Sequence, residues 1–433
     1  MSDHISTEMP ESKNPPPSFR EAVWFWLKLG FISFGGPSGQ IAIMHTELVE
    51  RRKWISEQRF LHALNFCMLL PGPEAQQLAT YCGWLLHRTV GGIVAGALFV
   101  MPSAFLLWSL SYIYMAYGDV QWVVAIFDGL KPAVLAIVLA AVIRIGGKAL
   151  KNPVMWVLAG LSFALIYFVK VPFPIIVFGS ALIGLLGGIY WKNYFGTTAP
   201  EESVDESAPK SSLGRALTIC AIGGLLWFIP LLGIAMWLGI EGTHFQEGLF
   251  FSKAAMVTFG GAYAVLPYVG QQAVEHYGWL QAGQMMDGLG LAETTPGPLV
   301  MVLQFVGFVG GWQNPGPLSP LAAGTLGAAI TTWVTFVPCF IWILLGAPHI
   351  ERLRGNRKIS SALTAVTAAV VGVIVNLAVW FGSHTLWPES AALDWGGLAT
   401  TVVAFALMVR WKVEILPIVL AAATLGVLRY FVF

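Results

Sequence analysis

Two helix-breaking motifs occur twice in the chain at one constant spacing. Phe34-Gly35-Gly36 returns as Phe259-Gly260-Gly261, and Pro71-Gly72-Pro73 returns as Pro296-Gly297-Pro298, in both cases 225 residues later (259 − 34 and 296 − 71). The same offset relates two further pairs, Lys28 with Lys253 and Trp54 with Trp279. A register kept without a gap over about fifty residues indicates a duplicated unit. Because the motifs interrupt helices inside apolar sequence, the pattern is typical of the binding site of a membrane transporter.

The composition predicts an all-α polytopic membrane protein. Of the 433 residues, 56% are hydrophobic and only 11% are charged, whereas a soluble domain has about 25% charged residues. The net charge of +1 gives no reason to expect a nucleic-acid partner. The cysteines are scattered without metal-ligand spacing, so neither a disulfide framework, a metal site nor a cofactor is expected. They are Cys67, Cys82, Cys220 and Cys339.

A polar interruption separates the two copies. Residues 197–210 are rich in Pro, Ser and acidic side chains, which cannot bury a core, so a mobile linker is expected there. The predicted organisation is a disordered cytoplasmic tail at 1–18, a first repeat at 19–191, a polar cytoplasmic linker at 192–212, a linking transmembrane helix at 213–240 and a second repeat at 245–431.

Each repeat is predicted to contain two broken stretches followed by four transmembrane helices. The apolar runs of the first repeat lie at 89–117, 120–147, 152–169 and 172–191, and those of the second lie at 319–347, 357–381, 392–410 and 412–431.

Charge placement predicts that the two repeats have opposite orientations in the membrane. Lys and Arg concentrate in cytoplasmic loops. The first repeat is basic at 51–53 and at 144–151, and it has no Lys or Arg around Asp119. In the second repeat the counterpart of the Asp119 loop, at 352–358, is strongly basic, and the counterparts of the other two stretches have no Lys or Arg. We therefore expect inverted repeats, with a cytoplasmic N-terminus and a periplasmic or extracellular C-terminus.

The broken stretches can cross the membrane or return to the side they entered. If residues 19–52 crossed once, the basic residues 51–53 would lie outside, against the charge rule. A hairpin turning at Gly35 and Gly36 obeys the rule, and arms of about 15 residues reach about 22 Å, past the midplane of a 30 Å core. Re-entrant hairpins, two per repeat, are the favoured interpretation. Kinked single spans are the alternative.

The helices that begin after the breaks are candidate anion sites. Free N–H groups at a helix start carry about half a positive charge, so four converging starts supply about +2, which suits a small tetrahedral dianion. The alternative is that Gly and Pro only permit close helix packing. The predicted substrate-binding residues are Lys28, Gly35, Gly36, Ser38, Gln40, Gly72, Glu74, Gln76, Gln77, Lys253, Gly260, Gly261, Thr294, Thr295 and Gly297.

The charged residues in apolar sequence allow more than one interpretation. Lys28 and Lys253 balance the charge of the anion or lie on its path, or they snorkel from helix ends to the interface. Glu74 and Glu293 flank the Pro-Gly-Pro breaks and are the candidates for proton coupling, although a carboxylate in a first turn also stabilises a helix. Asp128, Lys131 and Arg144 are interpreted as an internal ion-pair network.

The motifs resemble those of the chromate transporter family in its long, two-half form. The stretches that carry the likeness are 34–42 (FGGPSGQIA), 70–79 (LPGPEAQQLA), 259–263 (FGGAY) and 294–299 (TTPGPL). The resemblance spans about residues 20–431 and implies a prokaryotic inner-membrane carrier. The resemblance implies export of chromate by proton motive force or by exchange, with sulfate as a further substrate handled by some members. The second half departs from the first at Leu299, opposite Glu74, and at Ala262, opposite Pro37.

The sequence thus predicts a secondary transporter for a divalent tetrahedral oxyanion, with the lipid bilayer as its surroundings and a homodimer left open as its assembly. An oxyanion-selective channel with the same hairpins is one alternative. A membrane enzyme acting on lipid phosphates is another, but the sequence has no nucleophile elbow, Walker motif or HExxH motif in a suitable context, so an enzyme is not expected.

Overall fold

A computed structural model describes residues 17–118, 120–195, 213–347, 357–387 and 392–432. Almost all of the expected tail at 1–18, most of the linker at 192–212, Asp119, Arg352 and Arg354 lie outside the described residues. Throughout the described ranges the regular secondary structure is helical, with no strand.

The first half begins with two helical hairpins. The first hairpin consists of α1 (Phe19–Ile32) and α2 (Gly36–His45), and a π-helical turn (Thr46–Arg51) extends α2. The second hairpin consists of α3 (Glu57–Cys67) and the first part of α4 (Glu74–Tyr117). The remaining helices of this half are α5 (Gln121–Ala149), α6 (Pro153–Tyr167), α7 (Phe173–Tyr190) and the short α8 (Lys192–Phe195).

The second half follows the linking helix α9 (Leu213–Leu238) and repeats this order. Its first hairpin consists of α10 (Thr243–Val257) and α11 (Ala262–Gly270), and a π-helical turn (Gln271–His276) extends α11. Its second hairpin consists of α12 (Ala282–Thr294) and α13 (Val302–Gln313), and a 3₁₀ turn (Leu299–Met301) precedes α13. Four further helices follow: α14 (Pro320–Gly346), α15 (Arg357–Leu386), α16 (Trp395–Arg410) and α17 (Ile415–Val432).

Among the described residues, seven helices are long and apolar enough to cross a membrane, namely α4, α5, α7, α9, α14, α15 and α17. Helices α6 and α16, which coincide with the predicted spans at 152–169 and 392–410, are apolar but shorter. The prediction of an all-α polytopic membrane protein is confirmed.

Helix α4 contains a sharp reversal that separates its two parts. His87 (φ −137°, ψ 32°) and Arg88 (φ 53°, ψ −147°) leave the helical region. A Cβ at Gly83 would lie 2.5 Å from the carbonyl oxygen of Gly91, so the parts before and after the reversal run antiparallel in close contact. The predicted span at 89–117 therefore begins where the reversal ends.

In two of the hairpins, contacts show that both arms return to the same end. At the start of α1, Glu21 lies 3.7 Å from Arg52, which follows the π-helical turn after α2. In the second half, Gln313 at the end of α13 donates a hydrogen bond to Gln284 near the start of α12 (3.1 Å). These contacts place both ends of a hairpin side by side and leave its break at the far tip.

Equivalent aromatic pairs hold the first hairpin of each half. The rings of Phe25 and Trp54 are 5.3 Å apart, and those of Phe250 and Trp279, at the same offset of 225, are 5.7 Å apart. The repeated sequence therefore repeats its internal packing as well.

The long helices pack across the two halves. Helix α7 packs on α15, α17 packs on α5, and α5 also contacts α15. Small residues permit these close approaches: a Cβ at Gly184 of α7 would lie 2.5 Å from the carbonyl oxygen of Ser361, and one at Gly426 of α17 would lie 2.1 Å from that of Ala125. These contacts place α5 among helices of the second half, where it also packs against α12.

Candidate functional site

The tips of the four hairpins meet. The backbone N–H of Gly72 donates to the carbonyl of Thr258 (2.7 Å), and the N–H of Gly297 donates to the carbonyl of Ser33 (2.8 Å). Ser33 and Thr258 are equivalent under the offset of 225, as are Gly72 and Gly297, so one contact is the counterpart of the other. We call residues 33–36, 71–74, 258–261 and 295–298 the break junction.

In each of these two contacts the donating residue, Gly72 or Gly297, has to be a glycine. Gly72 has φ of +122° and Gly297 has φ of +106°, a region that side chains with a Cβ rarely adopt. A Cβ at Gly72 would lie 2.6 Å from Cys339 Sγ, and one at Gly297 would lie 2.5 Å from the Cβ of Ser103. The two breaks can approach their partners this closely only because neither has a side chain.

Gln40 joins the two halves at the junction. Its side-chain amide donates to the carbonyl of Gly297 and to that of Ser33 (3.4 Å), and the residue is only 1% exposed. The equivalent residue of the second half is Val265, which has no polar side-chain atom. The junction is therefore held by related backbone contacts and by one side chain that has no counterpart.

The four helices that begin at the junction have no side-chain cap. This holds for α2 after Gly35, α4 after Pro73, α11 after Gly261 and the 3₁₀ turn after Pro298. Elsewhere, Ser18, Ser56, Asn152 and Ser319 cap α1, α3, α6 and α14 with their side chains, whereas α5, α7 and α10 also lack such a cap. The first N–H groups of a helix have no partner within it, so the uncapped starts direct partial positive charge into the junction.

Charged side chains lie beside the junction. Glu74 Oε1 is 3.1 Å from the position of a Cβ on Gly261, and Lys148 is near enough to Glu74 to interact with its charge. The hydroxyl of Tyr263 donates to Glu293, and the Arg144 guanidinium lies 6.0 Å from the centre of the Tyr263 ring. Helix α5 supplies both cations, one turn apart on one face, and both are exposed.

The sequence interpretation of Arg144 needs refinement. Asp128 and Lys131 form the expected ion pair, with 2.8 Å between Lys131 Nζ and Asp128 Oδ1. Arg144 stands thirteen residues further along α5, or about 20 Å at the helical rise, beside Tyr263 and Glu293. The sequence gives no reason to select Lys148 or Tyr263 as site residues, because only the packing of α5 against α12 and the approach of Arg144 to Tyr263 of α11 bring them to the junction.

The other predicted polar residues make local contacts. Gln76 donates to Thr80 (3.0 Å), and Gln77 donates to the carbonyl of Pro71 (2.8 Å). The hydroxyls of Thr294 and Thr295 donate to carbonyls of their own helix, those of Leu291 and Ala292. Ser38 and Gly260 are exposed, and Gly35 and Gly36 are exposed or half-buried. These residues line the tips of the hairpins rather than one closed pocket.

Lys28 and Lys253 stand on exposed apolar faces of α1 and α10. One turn to either side of Lys28 lie Trp24 (63% exposed) and Phe31 (52%). The equivalent neighbours of Lys253 are Leu249 (41%) and Met256 (39%). Both lysines thus occupy the same position on an equivalent stripe, and their role in substrate binding stays a prediction.

The sequence of the chain was compared with known proteins. The family model of the chromate transporter matches residues 20–185 and 245–427, which together make up most of the chain and fall in both halves. The chain belongs to the chromate transporter family. It is therefore a multi-pass membrane protein that acts in transport and not as an enzyme.

Relatives within the family match nearly the whole chain. The chromate transport protein of Pseudomonas aeruginosa is 30% identical over 424 residues, covering 96% of this chain and 94% of the relative. The chromate transport protein of Cupriavidus metallidurans is 28% identical with the same coverage. A probable chromate transport protein of Synechococcus elongatus is 28% identical over 374 residues, 86% of this chain and 87% of the relative. No solved structure matches the chain.

Proposed function

We propose that this protein is a secondary transporter that exports chromate across the inner membrane of a prokaryotic cell and binds the anion at the break junction. The observation that carries the proposal is the meeting of four uncapped helix starts beside Arg144 and Lys148. Membership of the family and the names of the full-length relatives support chromate as the substrate.

The chemistry of the junction suits a divalent tetrahedral oxyanion. Four helix starts at about +0.5 each contribute about +2, and N–H groups from several directions match oxygens at tetrahedral positions. The Arg144 guanidinium can donate two parallel hydrogen bonds to one anion, and Lys148 adds a compact charge. Sulfate has the same shape and charge as chromate, so it is the expected competitor.

The two carboxyls near the junction provide a means of coupling to protons. Glu74 interacts with Lys148, and Glu293 accepts a hydrogen bond from Tyr263 close to Arg144. A carboxylate next to each cation competes with an incoming anion. Protonation of Glu74 or Glu293 removes that competition, so the affinity for the anion depends on the protonation state of these two carboxyls.

The unequal packing of the two halves supports alternating access. Helix α2 is buried only at Gln40 and Met44, whereas all of α11 except Tyr268 is buried. If the two inverted repeats alternate, so that α2 becomes buried while α11 becomes exposed, the junction opens first to one side of the membrane and then to the other. The N-terminus then lies in the cytoplasm and the C-terminus in the periplasm. Assembly as a homodimer stays a prediction.

The test is uptake of labelled chromate into inverted membrane vesicles, with and without a pH gradient, with unlabelled sulfate as competitor. We expect accumulation in wild-type vesicles that the gradient stimulates and that sulfate reduces. The double substitution Arg144→Gln and Lys148→Gln should abolish it, whereas Lys412→Gln, which changes an exposed lysine in the loop before α17, should not. Wild-type vesicles that accumulate neither anion would refute the proposal. Chromate flux without any coupled proton or counter-ion would favour a channel instead.

Glu74→Gln separates binding from coupling. The amide keeps the shape of the protonated carboxyl but cannot lose a proton. We expect the variant to bind chromate with an affinity that varies less with pH than that of the wild type, measured by equilibrium binding to protein in detergent. Glu414→Gln, at an exposed position before α17, is the matched control.

A further inference from the structure

A second polar site lies at the other end of α12, away from the break junction. A cavity of about 620 Å³ opens between α4, α5, α12 and the end of α13. Its polar lining includes Tyr114, Asp128, Lys131, Gln281, Gln284 and Asp287. Neither the motifs nor the proposed anion site involves these residues, although Asp128 and Lys131 form the ion pair described above.

Asp287 is the unusual member of this lining. It is only 4% exposed, its Oδ2 accepts a hydrogen bond from the Tyr114 hydroxyl (2.9 Å), and its Oδ1 is buried without a hydrogen-bond partner. A buried carboxylate oxygen without a partner is costly. A proton on Oδ1 removes that cost, and the adjoining cavity provides water from which the proton can come.

Lys131 is placed to interact with either of two carboxylates. Its ammonium lies 2.8 Å from Asp128 Oδ1 and interacts with the charge of Asp287. It is also 3.7 Å from the position of a Cβ on Gly283, one turn before Asp287 on α12. The other groups that face Asp287 are Tyr114 from α4 and the uncharged Trp312 and Gln313 from α13. Lys131 is therefore the cation that can balance Asp287 when it is ionised.

Helix α12 connects this cavity to the break junction. Asp287 is the sixth residue of α12, Glu293 is close to its end, and the Pro296-Gly297-Pro298 break follows the helix. Six residues separate Asp287 from Glu293, about 9 Å along the axis. A change in the contact between α5 and α12 is thus transmitted along α12 to Gly297, whose N–H donates to the carbonyl of Ser33.

We infer that the cavity is a proton-binding site that couples transport to the proton gradient, with Asp287 as the proton acceptor and Lys131 as the cation that replaces the proton. This inference rests on the proposed transport function. When Asp287 binds a proton from cavity water, Lys131 pairs with Asp128 alone and α12 is released from α5. When the proton returns to water, the carboxylate draws Lys131 towards it and α12 is held against α5. The site differs from Glu74 and Glu293, which face the anion.

The test uses purified full-length protein in liposomes and two measurements. The first is exchange of labelled external chromate for unlabelled internal chromate without a pH gradient, and the second is chromate uptake driven by a gradient, with an internal pH dye to follow protons. Asp287→Asn is expected to keep exchange close to the wild-type rate and to lose gradient stimulation and proton flux by about fivefold or more. Asp394→Asn, which keeps a residue able to cap α16, is the matched control.

Lys131→Gln provides an independent check. Without the ammonium, the buried Asp287 keeps its proton throughout the cycle. We therefore expect this variant, like Asp287→Asn, to retain chromate exchange and to lose proton flux. Unchanged gradient stimulation in Asp287→Asn would overturn the inference. So would loss of exchange in both variants with intact, monodisperse protein, because that places the cavity in anion binding. If wild-type protein exchanges no chromate, the proposed function itself fails, which the exchange measurement shows separately.

Discussion

The two halves place their polar residues on opposite sides of the same break. In the first half Glu74 and Gln77 follow the Pro-Gly-Pro motif, and their counterparts in the second half are Leu299 and Val302. In the second half Glu293, Thr294 and Thr295 precede the motif, and their counterparts are Met68, Leu69 and Leu70. Since the tips of opposite halves are hydrogen-bonded to each other, the two asymmetric sets gather at one junction. The duplication preserved the backbone and divided the side-chain roles.

The halves also differ in how firmly their first hairpins are held. Helix α11 packs on α15, with Gly260 near Val370 and Gly270 near Trp380. Helix α2 packs more loosely and leaves Ser38 and Ala42 exposed. Equivalent sequence therefore occupies a buried position in one half and a more exposed one in the other. This contrast is what a transporter built from repeats needs if the two arrangements are to exchange.

The largest effect is expected where the halves are most alike. Gly297→Val adds a branched side chain at φ of +106° and against Ser103, so strain and overpacking together should cost about 2–6 kcal/mol and abolish transport. Gly72→Val should do the same. The measurement is vesicle uptake together with thermal unfolding in detergent. Gly179→Val on α7, where a Cβ meets no atom within 4 Å, is the control, and equal damage there would remove the special role of the junction.

Arg144→Gln tests whether the first half supplies, through α5, a guanidinium that binds the anion at the break junction. The glutamine amide has neither the charge of the guanidinium nor its ability to donate two parallel hydrogen bonds. Because charge-assisted hydrogen bonds contribute about 1.5–3 kcal/mol, the affinity for chromate should fall about 10- to 100-fold. Equilibrium binding in detergent measures it. Arg429→Gln removes an exposed guanidinium paired with Asp394 at 3.4 Å and should leave affinity unchanged. A wild-type affinity in Arg144→Gln would exclude α5 from the anion site.

Gln40→Leu tests the contact that only the first half supplies. It removes the hydrogen bond to the carbonyl of Gly297 across the halves and should lower the free energy of unfolding by about 1–3 kcal/mol. Gln76→Leu, also buried but bonded to Thr80 in its own helix, should cost less, because Thr80 keeps its bond to the carbonyl of Gln76. Both are measured by thermal unfolding in detergent. The reverse order would show that Gln40 does not hold the halves together.

The smallest effect is expected for the equivalent lysines. Both stand on exposed faces, where a positive charge attracts an anion without closing on it. The double substitution Lys28→Gln and Lys253→Gln should slow uptake by about twofold at low ionic strength, and the difference should vanish at high salt. Initial rates across a salt series measure this. Complete loss of transport at every salt concentration would instead indicate direct binding.

Much of the fold could be predicted because its signals are local. Breaks at Gly-Gly and Pro-Gly-Pro interrupt helices wherever they occur, and long apolar runs become helices that span a membrane. The site was harder to predict. Arg144 and Lys148 are ordinary basic residues near the end of an apolar run, and more than a hundred residues separate them from Tyr263. Asp287 lies in a short helix whose sequence does not reveal that a tyrosine of α4 and a lysine of α5 face it.

The sequence by itself determined where the backbone must be interrupted and that the interruption is duplicated, because glycine and proline impose their conformations within a few residues. Only the tertiary structure decided that the four interruptions meet, that α5 brings its cations to them, and that one end of α12 faces a separate polar cavity. Those relations depend on helices from different halves packing through small residues, and such packing joins positions that have no relation along the chain.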